Sequence, residues 1–285
     1  MNPPPANAAD GRIDWIRFAP ALFVLIWSTG FVVARFGMPH APPFGFLAWR
    51  FFFSILCFVV WIRIAGAAWP ASRAQWLHLS VVGLLMQAGY LGGVWAAVKA
   101  GMSAGTAALI VGLQPLLTAA WLAARSSDQA ASGRQWIGLV LGLLGLVLVV
   151  WRKLGLGEAS LPTVVMAVVA LLSITVGTLY QKRWVRAADV RSANAVQMLA
   201  ALVVMLPLAA LESEPVRWYR ELIGAMAWSV LALSLGANSL LVGLIQRGAA
   251  TQVSSLMYLV PPCTAAIAWL LFDESLTVLI LAGIA

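Results

Sequence analysis

The chain has 285 residues, 62% of them hydrophobic and only 10% charged, too little charge to cover the surface of a water-soluble domain of that length. Its net charge of +8 is spread over the ends of apolar stretches rather than gathered in one patch, so it reads as topology signal and not as a nucleic-acid surface. Cys57 and Cys263 both fall inside apolar stretches and imply no disulfide framework, and His40 and His78, near stretch ends, do not make a metal site.

Residues 1–18 form a polar tail rich in Pro and Ala, read as disordered and cytoplasmic. Arg12 and Arg17 precede the first apolar run, but no small-residue cleavage site follows, so the first span is expected to be retained. A bilayer core takes about 20 apolar residues per helix. On that length, spans are predicted at 19–36, 44–64, 76–98, 103–123, 135–151, 162–181, 193–211, 225–246 and 251–272, with a last one from about 276. That tenth span has only about ten residues before Ala285, too few to cross, and a missing half-helix is expected. Eleven of the 18 Lys and Arg lie on the tail and the even-numbered loops, Arg63, Arg73, Lys182 and Arg183 among them. Six lie on the other side, including Arg35, Lys99 and Arg217, which places the amino terminus in the cytoplasm.

Residues 19–138 are echoed 147 positions later: Gly30 matches Gly177, Gly89 matches Gly236 and Pro115 matches Pro262, while Arg50 falls on Gln197. Each copy holds five spans. Five is odd, so the second copy enters the membrane from the opposite side. The predicted fold is an all-α integral membrane protein, a ten-helix bundle of two inverted five-helix repeats at 19–151 and 162–285, its last helix truncated.

No acidic residue lies well inside any span, and neither a GxSxG elbow nor an HExxH pair is present, so the chain does not read as an enzyme and no cofactor is implied. The mid-span prolines Pro115, Pro261 and Pro262 are the candidate hinges. Each removes an N–H and breaks the ladder, and carbonyls freed inside a bilayer need protein partners or a water-lined cavity. Matched breaks in two repeats point to a substrate site. Arg50 is the one basic residue several positions into a span. Either it faces an anionic substrate group or the freed carbonyls, or it snorkels to the outer interface about seven residues away. Gln87, Gln114, Gln181, Gln197 and Asn238 are the polar uncharged groups in spans, and Trp27, Tyr90, Trp95, Tyr180 and Tyr258 supply aromatic surface. From these, Trp27, Arg50, Tyr90, Gln114, Tyr180, Asn238 and Tyr258 are the candidate substrate-binding residues. Against that stands the preference of aromatic residues for interfaces and of amides for joining helices. The spacings Gly89-xxx-Gly93 and Gly101-xxx-Gly105 allow close helix approach.

The chain resembles the EamA-like branch of the drug/metabolite transporter superfamily. The resemblance rests on Ile26-Trp27-Ser28-Thr29-Gly30-Phe31, Trp49-Arg50-Phe51, Gly112-Leu113-Gln114-Pro115, Gly177-Thr178-Leu179-Tyr180 and Leu259-Val260-Pro261-Pro262 followed by Asp273-Glu274. It implies two inverted five-helix halves, a central cavity, and export or exchange of small metabolites, amino acids or drugs across the bacterial inner membrane. The partners it implies are a small-molecule substrate and the lipid bilayer, with no nucleic acid. Ser127-Asp128 departs from the family pattern, which places there a glutamate equivalent to Glu274. Glu274 itself reads as a carboxylate facing a helix dipole. The competing function is a membrane assembly or lipid-handling partner without a solute pathway; a cavity in the middle of the bundle would favour transport.

Overall fold

The computed structural model describes residues 15–125, 137, 144, 151, 159–185, 188–246 and 259–272. Its helices are α1 (Trp15–Gly37), α2 (Pro43–Ala65), α3 (Arg73–Val82), α4 (Tyr90–Lys99), α5 (Ala104–Val111), α6 (Gln114–Arg125), α7 (Leu161–Trp184), α8 (Val190–Ala210), α9 (Arg220–Trp228), α10 (Asn238–Gln246) and α11 (Val260–Phe272). Among the described residues, seven helical stretches are long and apolar enough to cross a membrane: Pro20–Gly37, Pro43–Ala65, Arg73–Lys99, Ala104–Trp121, Leu161–Trp184, Val190–Ala210 and Arg220–Leu244. They coincide with seven of the ten expected spans. The fifth and tenth expected spans, and the start of the ninth, lie almost wholly outside the described residues.

Local chemistry sets the starts of these helices. Ser72, Ser103 and Ser160 each accept a hydrogen bond from a first-turn backbone N–H of the helix that follows, and Ser160 with Thr163 closes a capping box. α2 begins with Pro43, whose missing N–H costs nothing there. The next two amides are capped from a distance: Phe44 N and Gly45 N donate to the Glu212 carboxylate at 3.0 and 2.7 Å. Many large apolar side chains stay exposed along the spans, among them Leu25, Val60, Val203, Leu206 and Leu270, as a lipid-facing surface requires.

Two spans are not plain α-helices. α3 passes into α4 through a π segment, Gly83–Gly89, and α9 passes into α10 through a second, Ser229–Ala237. Gly89 and Gly236, 147 positions apart, sit in the last turn of the two segments. Each segment packs against a helix from the other half of the chain, the first against α8 and α7, the second against α2 and α1.

The prolines act differently from a mid-helix kink. α5 stops at Val111, Gly112 and Leu113 form a turn, and Pro115 is the second residue of α6. Pro261 and Pro262 occupy the first turn of α11, directly after a turn at Leu259. Proline is tolerated in a first turn because those amides have no partner within the helix, so these prolines sit where a helix starts. The two breaks touch: a Cβ on Gly112 would stand 2.6 Å from Pro261 Cγ.

Candidate substrate cavity

α1, α2, the third span and the eighth span enclose a narrow cavity whose water-accessible volume is about 30 Å³. Its polar wall is Arg50, Gln87 and Asn238, and its apolar wall includes Trp27, Phe31, Tyr90, Trp95 and Leu233. Gly30 leaves room on α1, since a Cβ there would meet only Leu233, at 3.6 Å. Trp27 and Tyr90 lie with their rings parallel, centroids 6.2 Å apart, and Trp95 stacks on Phe46 behind the wall at 4.3 Å.

Arg50 is 3% exposed. It does not snorkel to the interface; its Nε donates to Ser234 Oγ in the second π segment, at 3.1 Å. It lies seven residues into α2, a depth of roughly 10 Å at 1.5 Å per residue. Asn238, which directly follows that π segment, is 6% exposed, and its Nδ2 has no hydrogen-bond partner among the described residues.

Four of the seven candidate substrate-binding residues, Trp27, Arg50, Tyr90 and Asn238, therefore share one cavity. Gln114 is elsewhere, its Nε2 donating to Thr178 Oγ1 of α7 at 3.0 Å, which ties α6 to α7. Tyr180 lies at one end of the bundle, its hydroxyl 2.7 Å from His78 Nδ1 beside Trp184. Tyr258 lies outside the described residues. Of the candidate hinges, Pro261 meets Gly112 where the turn before α6 crosses the start of α11. At that crossing Ser28 Oγ reaches the Val260 carbonyl at 3.4 Å and Thr264 Oγ1 donates to the Ser28 carbonyl at 3.2 Å, joining α1 to α11. Sequence reasoning passed over Ser234. The internal offset carried the signal, because Ser234 is the position that matches Gln87, 147 residues earlier.

The EamA-like transporter family matches residues 15–151 and 161–285. The chain belongs to the EamA-like transporter family. Among similar proteins of this family of membrane transporters, the uncharacterized inner membrane transporter YedA of Escherichia coli is 26% identical over 85% of this chain and 78% of its own. A probable amino-acid metabolite efflux pump of Salmonella typhimurium is 26% identical over 93% of this chain and 90% of its own. An uncharacterized transporter of Archaeoglobus fulgidus is 26% identical over 89% and 88%. A solved crystal structure of a protein superposes on this EamA-like transporter with a TM-score of 0.66 at 19% identity, covering 94% of each chain, which shows a common fold.

Proposed function

We propose that this EamA-like transporter is a secondary transporter of the bacterial inner membrane that exports or exchanges small metabolites, amino acids or drugs by alternating access around the central cavity. The observation that carries the reading is a polar and aromatic cavity buried among spans whose outer faces are apolar. Such a space is expensive to maintain in a mere scaffold and is what a solute pathway requires. Relatives named as an efflux pump and as inner membrane transporters support the direction and the location. The ten spans form two halves of opposite orientation, with the amino terminus cytoplasmic. The halves rock about the touching breaks at Gly112 and Pro261, and a solute drives them only through its different affinity for the two states. None of the described cavity-lining residues is acidic, so flux follows the solute's own gradient or exchange, without obligatory proton antiport.

The test is flux in proteoliposomes holding the full chain and loaded with a panel of labelled metabolites, with and without an imposed pH gradient. Saturable efflux or counterflow independent of that gradient is expected. A folded, reconstituted protein that moves no solute on the panel would leave the assembly-partner reading in its place, and uphill accumulation abolished by Glu274→Gln would overturn the coupling. Labelling of single cysteines at the two ends of each span checks the orientation of the halves.

A further inference from the structure

The cavity's charge is unbalanced. Asp189, Glu212, Glu214 and Glu221 are the acidic residues among the described ones, and all stand at helix starts or in loops. Arg50 is thus a buried cation with no carboxylate beside it among the described residues of the cavity wall. A guanidinium carries five N–H donors. One goes to Ser234, and the Tyr90 phenol stands near the same guanidinium. Asn238 adds a second buried donor, its Nδ2, without a partner among the described residues. Leaving a buried charge and a buried amide N–H unmet is costly, and the cost falls when a ligand brings the missing acceptors.

We propose that the cavity takes an organic monoanion whose carboxylate is held between Arg50 and Asn238 and whose apolar tail lies along Trp27, Phe31, Tyr90 and Leu233, with Ser234 positioning Arg50. The assignment rests on the transport reading and narrows it. A carboxylate only accepts hydrogen bonds, so it complements the Arg50 guanidinium, which only donates, and the Nδ2 of Asn238. An ammonium would sit beside a guanidinium with no acid among the described wall residues to offset it. Zwitterions and cations are therefore disfavoured relative to a monoanion of the same shape. By occupying Nε, Ser234 fixes the plane of the guanidinium and leaves its terminal nitrogens for the ligand. Ser234 belongs to the second π segment and Asn238 follows it directly, so one irregular stretch of backbone sets both halves of the anion site.

The experiment compares 3-phenylpropanoate, 3-phenylpropanamide, phenylalanine and 3-phenylpropylamine, which share a tail and differ in charge. Equilibrium binding is measured on the purified full chain, and counterflow on proteoliposomes. The wild-type protein is expected to bind the carboxylate at least about tenfold more tightly than the other three. Arg50→Gln should remove that preference. Ser234→Ala should raise the KM for the carboxylate several-fold with maximal flux retained, and Ser234→Thr should restore it. Preference for phenylalanine or the amine, no binding of any probe by folded protein, or carboxylate binding unchanged in Arg50→Gln would each overturn the assignment. The charge series on the wild-type protein stands even if a variant fails to fold. Flux of the zwitterion or the amine alone would spare the transport reading while removing this one, whereas binding of the carboxylate without any flux would do the reverse.

Discussion

Each π segment is crossed by a helix from the other half of the chain, and the two crossings are built differently. α8 lies on the first segment backbone to backbone: a Cβ on Gly83 would stand 2.6 Å from Gln197 Cα. α2 crosses the second segment, where the position matching Gly83 is Val230, and here the contact is made by side chains, Arg50 Nε to Ser234 Oγ. The partners correspond, since Arg50 matches Gln197 and Ser234 matches Gln87. One crossing is clamped and the other is held apart. Arg50 and Asn238 face the cavity at the second, so the loosely built crossing is the one that leaves space for a ligand.

The contrast can be broken most forcibly at Gly83. Gly83→Val forces a side chain into the Gln197 backbone, where nothing flexible can yield, and is expected to cost about 3 kcal/mol or more. Loss of monodisperse protein after detergent extraction checks it. The pair Gly89 and Gly236 gives a matched comparison. At Gly89 a Cβ would meet Ser173 Oγ at 2.7 Å and Ser173 Cβ at 3.1 Å, whereas at Gly236 the nearest atom is 3.6 Å away. Gly89→Ala should therefore destabilise by about 1–2 kcal/mol, seen as a lower thermal midpoint. Gly236→Ala should stay within about 0.5 kcal/mol of wild type; equal losses in both would erase the distinction between the crossings.

The smallest effect concerns the start of α8, the clamped helix. Asp189 caps it, accepting from Arg191 N at 2.9 Å and pairing with the Arg191 guanidinium, also at 2.9 Å. The hydrogen bond from Arg191 holds the Asp189 carboxyl below its ordinary value. A depressed carboxyl contributes stability that is present above its unfolded pKa and lost as pH falls through its folded one. Asn caps nearly as well as Asp, so Asp189→Asn isolates the charge of a pair near the surface, where ion pairs contribute little. The difference in thermal midpoint between variant and wild type should shrink in acid.

The spans were legible because apolar length is a strong signal, and the paired breaks because proline and glycine are tied to particular backbone positions. The π segments were not, since one extra residue in a uniformly apolar helix leaves hydropathy unchanged. The same uniformity hid which way side chains point. α7 is apolar on nearly every face, so residue type alone singled out Tyr180, which meets His78 at one end of the bundle, as it did Gln114 on α6, whose Nε2 meets Thr178. Trp27, Arg50, Tyr90 and Asn238, chosen by type and depth, line one cavity. Gly83 could not be ranked above other glycines, because its role depends on a helix 114 positions away.

A π segment is an α-helix that has taken in one surplus residue, bonding each amide five positions back instead of four. Giving up that residue restores the ordinary ladder with its hydrogen bonds, so the alternative state is a screw step of fixed size. Everything beyond the segment would turn by about 100° and shift by about 1.5 Å along the axis. In the third span that step carries Tyr90, and in the eighth Asn238, the first residue after each segment. Deleting one residue from Ser229–Ala237 and reading the labelling of a cysteine placed at position 238 would report the step, as loss of access from the cavity side. A membrane helix built this way stores its alternative in residue count, as a ratchet stores a tooth, and needs no flexible joint to reach it.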